Sequence, residues 1–428
     1  MKMRRILRKL FIVALVMNAG LFAAEDQTLA EWTIVVYMQA DNNLSSFADY
    51  NITQMQQGIV KDSSQVNVLV QWDQPENNKT WRYKILKGDK IDVGSLDTEM
   101  GLNPEHELVD CAHWIKDNYP AKKYAWVLWN HGSGIQDIKA GKMSLLNSWI
   151  QIPGLSLIDD RGILYDDSQH SFLSNQALTR AFTKITDILG HPIDVLAMDA
   201  CLMAMIEISY QIKGLASYMV ASEQTEQGTG YAYDRILNPL TQDPTSFDDR
   251  KFAELLVHAY KSYYDDMGET DYTISAFDMH YVDSLKENID SFVSAVDACK
   301  KFDSSAISQV IIKARKKTLS FATIDFIDLY TFYTYVHKYI TSIRSNVQDD
   351  TQYVIALDTL VEIIEHGMRL ITKSISAQAA GALDIKAQGI SIYYLDVFQP
   401  ATAIDVSYVP TLFAQESLWL DFVKENRL

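Results

Sequence analysis

Two apolar runs in this 428-residue chain each end in a side chain able to do covalent chemistry. The first, Tyr124-Ala-Trp-Val-Leu-Trp-Asn130, leads into His131-Gly-Ser-Gly134; the second, Ile193-Asp-Val-Leu-Ala-Met-Asp199, leads into Ala200-Cys201-Leu-Met203. A thiolate is a strong nucleophile, and an imidazole carries protons near neutral pH. Taken singly, a cysteine is usually a small buried hydrophobe and a histidine a satisfied core residue. The placement makes the pair informative, because functional groups in a parallel sheet gather just beyond the carboxyl ends of its strands. Glycines after His131 permit a sharp turn and a close approach by a substrate chain.

Asp199 lies two residues before Cys201 and shares its face of the strand. A buried carboxylate there could pair with a guanidinium or ammonium group; its competing role is to cap the following helix. Glu223 and Glu226 are further acids for the same recess. Asp166-Asp167 and Asp248-Asp249 could attract calcium, although neither fits an EF-hand loop. No cysteine or histidine spacing matches a zinc site, and Glu365-His366 lacks a second histidine at metal-binding spacing. Gly228-Thr-Gly230 is a loop rather than a dinucleotide site. The Lys313 to Lys317 cluster reads as a solvated helix face.

The elements that must position these groups are legible as periodicity. Thr33 to Gln39, Val66 to Trp72, Tyr124 to Asn130, Ile193 to Asp199 and Tyr218 to Ser222 are short apolar runs of the kind that form buried strands. Helical patterns at Leu44 to Ile59, Ser174 to Leu189 and Leu202 to Lys213 lie between them, which implies an α/β fold with a mostly parallel sheet covered on both faces. The last of these helices would begin beside Cys201 and favour an anion there. Trp81 to Leu86 reads as a hairpin or edge strand. Beyond Asp271 long helical patterns dominate, at Val282 to Lys300, Ser305 to Lys317, Asp325 to Ile343 and Gln352 to Thr372. Apolar runs at Tyr272 to Phe277 and Gly389 to Tyr394 join this part to the sheet. The expected organisation is a leader over 1–24, a catalytic domain over 30–270 and a helix-rich carboxy-terminal domain over 271–428.

The leader rests on Lys2, Arg4, Arg5, Arg8 and Lys9 preceding the apolar run Leu10 to Met17, which is a secretory signal pattern. Its removal takes the formal charge from −17 to about −22. Such a surface repels nucleic acid and anionic membranes and attracts cationic groups. The composition is that of a folded globular chain, with 48% hydrophobic and 22% charged residues. Three cysteines, Cys111, Cys201 and Cys299, leave at least one thiol unpaired within an exported chain.

A hydrophobic block ending in His-Gly, followed by one ending in Ala-Cys, resembles the pattern shared by caspases, legumains, gingipains and clostripain. The chain is most similar to the clostripain family, at Trp32-Thr-Ile-Val-Val-Tyr-Met38, Ala40-Asp-Asn-Asn-Leu44, Asp199-Ala-Cys-Leu-Met203, Val220 to Gly230, Thr273 to Asp278 and Gly389 to Tyr394. The caspase QACRG-like signature is absent. The resemblance implies a caspase-like sheet, cysteine endopeptidase activity with Cys201 as nucleophile and His131 as acid and base, and an oxyanion held by the N–H groups of Gly132 and Cys201. It also implies protein or peptide substrates cut after Arg or Lys, with Asp199 and then Glu223 in the specificity pocket. No cofactor is required for thiol chemistry, and the resemblance allows calcium. The segment Ser133 to Asp160 is too long for an ordinary connection. It and its border carry Lys139, Lys142 and Arg161, which a basic-specific enzyme could cut in itself, Lys142 first. The competing reading is an exported binding or adhesion protein on an inactive peptidase scaffold.

Overall fold

The computed structural model describes residues 29–75, 77–137, 162–348 and 350–428. The leader and the candidate processing residues Lys139, Lys142 and Arg161 lie outside them.

In chain order the first half comprises β1 (Ala30–Gln39), α1 (Ser45–Gly58), β2 (Val66–Asp73), β3 (Trp81–Leu86), β4 (Asp89–Asp92), α2 (Pro104–Asn118) and β5 (Ala121–Trp129). After the gap come β6 (Ile163–Asp166), β7 (Ser171–Leu173), α3 (Asn175–Leu189), β8 (Ile193–Asp199), α4 (Ile206–Gln211), β9 (Ala216–Ala221), α5 (Tyr233–Gln242) and α6 (Asp249–Met267). The remainder is β10 (Thr273–Asp278), α7 (Val282–Arg315), β11 (Phe326–Asp328), α8 (Leu329–Arg344), α9 (Thr351–Ser374), β12 (Ile375–Ala380), β13 (Ser391–Tyr393), α10 (Leu412–Glu416) and α11 (Trp419–Glu425).

Nine strands form one sheet in the order β12-β10-β9-β8-β5-β1-β2-β3-β4. The central five, β9-β8-β5-β1-β2, are parallel. Antiparallel strands finish both edges, β3 and β4 on one side and β10 and β12 on the other. Side chains alternate between two cores. Val35, Tyr37, Trp126, Leu128, Leu196 and Met198 face the core built with α2, α3, α4 and the carboxy-terminal helices. Ile34, Val36, Val127, Trp129, Val195 and Ala197 face the other, under α1, α5 and α6. This is the two-sided burial that continuous apolar strands require.

The helix-rich part does not stand apart from the sheet. β10 and β12 extend it, and α7, α8 and α9 share a core with β5 and β8. The strand at β12 escaped the sequence reading because Ile-Ser-Ala-Gln-Ala-Ala has weak strand propensity and directly continues a helical pattern. Two predicted helices, Val282 to Lys300 and Ser305 to Lys317, are two arms of α7 meeting at Asp303, which has φ −145° and ψ 85°. Asp303 caps the second arm, its Oδ1 accepting the Ala306 N–H at 2.9 Å. In the basic cluster Arg315 is buried rather than solvated, donating to the carbonyls of Tyr394 and Ile324. No helix among the described residues is long and apolar enough to cross a membrane.

Glu207 fastens the two halves: its Oε1 accepts the Tyr393 N–H at 2.8 Å from inside the core. Burial pushes its carboxyl up to about 8. The folded chain therefore keeps Glu207 protonated where the unfolded chain ionises it, so its contribution to stability is lost as pH rises from the ordinary carboxyl range toward 8. Glu207→Gln should stabilise the protein by on the order of 1–3 kcal/mol at pH 7.5 and by almost nothing at pH 4.5. Denaturant unfolding at the two pH values measures the difference, and an equal effect at both would refute the protonated state.

Candidate active site

The register of β5 against β8 sets the site. Trp129 pairs with Asp199, and the Asn130 N–H donates to the Asp199 carbonyl at 3.2 Å. His131 and Cys201 are each two residues past that pair, so neighbouring parallel strands deliver them at equivalent positions on the same edge. Gly132 locks the two ends together. A Cβ there would lie 2.7 Å from the Cys201 carbonyl oxygen and 3.0 Å from the Ala200 Cβ and the Met203 Sδ. The close approach expected of this glycine is thus made by the chain's own backbone.

His131 Nε2 and Asn43 Oδ1 are 2.7 Å apart. With the ring neutral and the amide oxygen accepting, the hydrogen belongs on Nε2 and the lone pair on Nδ1. Asn43 belongs to the turn after β1, in the run Ala40-Asp-Asn-Asn-Leu44. The sequence offered no orienting partner for His131; the only signal was this cluster of turn formers at a strand end. Its neighbours brace the loop: the Asn42 side chain donates to the Tyr165 carbonyl at 3.0 Å and accepts the Leu44 N–H at 2.9 Å. Asn130 exchanges hydrogen bonds with both the N–H and the carbonyl of Tyr165, at 3.0 and 2.8 Å.

Cys201 is partly exposed, whereas Cys111 and Cys299 are buried in α2 and α7; none of the three is in a disulfide. Burial pushes the Cys111 thiol up to about 12 and that of Cys299 to about 11, which makes both inert. The helix expected to start at Leu202 starts at Ile206 instead, after a turn in which Leu202 has φ +64°. A helix dipole therefore does not act directly on Cys201. The Glu226 N–H does, donating to Sγ at 3.3 Å, and such a donor stabilises a thiolate over a thiol.

Asp199 does not cap that helix, whose N-cap is Met205. Its carboxylate accepts the Tyr233 hydroxyl at 2.8 Å and the Tyr231 N–H at 3.2 Å. Gly230, at φ +60°, makes room for it, since a Cβ would sit 2.5 Å from Oδ1. Burial raises the Asp199 carboxyl to about 6, with the Tyr233 and Tyr231 bonds pulling the other way. Glu226 lies beside it, held well above the carboxylate range by burial and then by Asp199 and Cys201. Both Glu226 carboxyl oxygens are buried, and the carboxyl meets that of Asp199. Tyr231, Tyr233, Tyr260 and Tyr264 surround the two acids. Glu223 is turned elsewhere: its Oε2 accepts the Gly389 N–H at 2.8 Å, and it lies against Asp328. The recess beside Cys201 thus joins Asp199 to Glu226, not to Glu223, because residues 223 and 226 leave the loop in different directions.

Of the acidic pairs considered for calcium, Asp248 caps α6 through the Lys251 N–H at 2.8 Å, which accounts for it. Asp166 instead joins Asp41 and Asp73, three buried residues whose carboxylate oxygens lie within 4.8 Å of one another. An all-oxygen donor set of this kind fits a hard cation such as calcium. Burial raises the carboxyls of both Asp73 and Asp166, and each also feels a neighbouring acid of the cluster.

The sequence profile of the clostripain family matches residues 36–425. Clostripain of Hathewaya histolytica is 25% identical over 307 residues, an alignment covering 60% of this chain and 55% of that protein. The chain thus spans about half the length of the relative it matches. A secreted C11 cysteine protease from Bacteroides thetaiotaomicron, solved with an irreversible peptide inhibitor, superposes with a TM-score of 0.63 at 16% identity, covering 91% of this chain and 99% of that one. An inactive zymogen C11 protease from Parabacteroides distasonis gives 0.57 at 17% identity, over 91% and 98% of the two chains. These likenesses agree on the fold.

Gly132→Ala tests the packing of the two strand ends. Its added methyl must displace backbone, so the variant should lose about 1–3 kcal/mol of stability and should alkylate Cys201 at an altered rate. Iodoacetamide kinetics and denaturant unfolding read the two effects; wild-type values in both would mean that the strand ends have slack.

Proposed function

The chain belongs to the clostripain family, and from that premise we propose that it is an exported cysteine endopeptidase cutting peptide bonds after Arg or Lys. The observation that carries this reading is the delivery of His131 and Cys201 to equivalent positions past adjacent parallel strands, beside a recess with two buried acids.

The thiol of Cys201 gives its proton to Nδ1 of His131, whose Nε2–H is held by Asn43. The thiolate, favoured by the Glu226 N–H, attacks the scissile carbonyl carbon. The oxyanion is received by the N–H groups of Gly132 and Cys201, at roughly 3 kcal/mol per donor for such holes. The imidazolium then protonates the departing amine, leaving a thioester. His131 deprotonates a water that attacks it, and the acid leaves with the thiol restored. Every proton is handled by this chain's own groups.

Ion pairs among the described residues do not reach Asp199 or Glu226, so a cationic substrate side chain would be their natural partner. Asp199 ionises as pH rises through about 6, while burial and the neighbouring Asp199 hold the Glu226 carboxyl above the ordinary carboxylate range. The basic, apolar amino terminus supports export.

Peptides with Arg, Lys, Asp, Asn or Leu before a reporter amine should show cleavage of the first two, abolished in Cys201→Ala. Asp199→Asn should lower kcat/KM for Arg and Lys substrates on the order of a hundredfold. The Ki of benzamidine should tighten as pH rises through about 6 and lose that dependence in Asp199→Asn. Unaltered turnover by Cys201→Ala would remove the mechanism, and an unchanged Arg preference in Asp199→Asn would move the specificity acid elsewhere.

Self-cleavage is part of the same proposal. The described chain leaves at Asp137 and returns at Gly162, where an added Cβ would be 2.9 Å from Asp137 Oδ1. The ends of the segment that carries Lys139, Lys142 and Arg161 are therefore adjacent and anchored, Asp137 Oδ2 accepting the Asn175 N–H at 2.9 Å. A cut inside would leave both new ends tethered to the fold. Mass spectrometry of fresh wild-type protein should find two noncovalent fragments parted at Lys142 before Lys139 or Arg161, with Cys201→Ala intact. A wild-type chain that stays whole and fully active would rule out obligatory processing.

A further inference from the structure

Residues 222–226 lead from the end of β9 to the sulfur of Cys201, and each backbone N–H from 223 to 226 meets a particular acceptor. Glu223 and Gln224 donate to Thr273 Oγ1, at 2.8 and 3.0 Å. Thr225 donates to the Gln224 side-chain oxygen at 3.0 Å. Glu226 donates to Cys201 Sγ at 3.3 Å. The direction of the last N–H follows from the peptide planes before it, so what holds those planes also aims the donor at the sulfur.

Thr273 opens β10, which runs antiparallel to β9 with Ser275 opposite Ala221. Two residues before Ser275, Thr273 stands level with Glu223, where β9 has already ended, and its side chain receives the departing loop. A hydroxyl has two lone pairs and one hydrogen. The two N–H groups take the lone pairs of Thr273 Oγ1, so its hydrogen belongs to Ser222 Oγ, 2.9 Å away. Ser222 in turn donates to the Gln224 carbonyl at 2.9 Å, and that carbonyl also accepts the Leu202 N–H at 3.1 Å. The chain of bonds thus ends on the residue after Cys201. Leu202 has φ +64°, a left-handed conformation that a leucine keeps only where its surroundings impose it. Ser222 and Thr273 are both buried, at 0% and 2% exposure, where bulk water cannot take the place of either hydroxyl. Glu223 anchors the loop separately through the Gly389 N–H. Removing one hydroxyl should therefore displace the loop without releasing it.

We propose that Thr273 is a positioning residue for Cys201: its hydroxyl holds residues 222–226 so that the Glu226 N–H is aimed at the sulfur and the turn at Leu202 stays in place. The proposal rests on the reading of Cys201 as the reactive thiol, and Thr273 acts on it only through the loop.

The test is the pH profile of Cys201 alkylation by iodoacetamide in the full-length protein, read by mass spectrometry of the Cys201 peptide, with denaturant unfolding alongside. Thr273→Val keeps the shape of the side chain and removes the hydroxyl. The midpoint of its profile should rise by about one pH unit, an about tenfold slower reaction below the midpoint, because the thiolate loses a donor. His131, Asp199 and Glu226 are the same in every variant, so the titratable groups around the sulfur do not themselves move the midpoint. Thr273→Ser should restore the wild-type profile. Ser222→Ala breaks the same chain of bonds one step on; it should shift the midpoint in the same direction, and it decides the matter if Thr273→Val does not fold. Thr33→Val removes a buried hydroxyl from the amino end of β1, where it donates to the Tyr119 carbonyl at 2.8 Å. That variant should lose stability and keep the wild-type midpoint. Wild-type profiles in Thr273→Val and Ser222→Ala would overturn the proposal, and so would an equal shift in Thr33→Val, which would trace the effect to general loosening. Failure of Thr273→Ser to restore the profile would overturn the role of the hydroxyl. Alkylation needs no peptide cleavage, so a protein that cuts no peptide yet shows the expected shifts would remove the peptidase reading and leave the positioning role standing.

Discussion

The parallel pairing of β5 with β8, with Trp129 opposite Asp199, is the constraint on which the rest depends. A slip of one residue would send either His131 or Cys201 to the opposite face of the sheet, because side chains alternate with period two. The register is held from both sides. Trp126 and Leu128 bury into one core, Val127 and Trp129 into the other, and Gly132 fits against the Cys201 backbone with no space for a methyl. Hydrophobic burial on two faces therefore fixes the relative placement of His131 and Cys201, which neither side chain could fix for itself.

Much of this was legible before any coordinates. The five parallel strands declare themselves as apolar β-branched runs, and their alternation with helical patterns gives the sheet its sense. His131 and Cys201 were legible because each follows such a run directly. What sequence could not show is which loops converge. Asn43 is 88 residues from His131, and nothing local marks it as a partner. Glu223 and Glu226 were indistinguishable as acids on one loop; the fold turns the first to Gly389 and the second to Asp199. The helix expected at Leu202 failed for a related reason. Its apolar residues follow a helical rhythm, but the first four are spent on a tight turn, with Ala204 bonded to Ser222 and Ser391 rather than to its own helix.

Buried acid without an internal cation is the electrostatic theme of this edge. Asp199 with Glu226 and Asp41 with Asp73 and Asp166 flank the ends of β8 and β1. An overall excess of acid, with formal charge −17, would place carboxylates on a surface at little cost. Burying them is costly, and here the cost shows as carboxyls raised above their ordinary range by desolvation. The two groups differ in their internal partners: a tyrosine hydroxyl and a backbone N–H hold Asp199, while one amide bridges Asp73 and Asp166.

Because no helix begins at Cys201, the backbone donor to its sulfur is instead the N–H of Glu226. That loop continues into Tyr231 and Tyr233, which hold Asp199. The donor to the sulfur and the groups that hold Asp199 are therefore parts of one short segment, residues 226–233. The contacts of the sulfur and those of Asp199 are in this way set together by one stretch of backbone, so a change in the conformation of residues 226–233 would alter both.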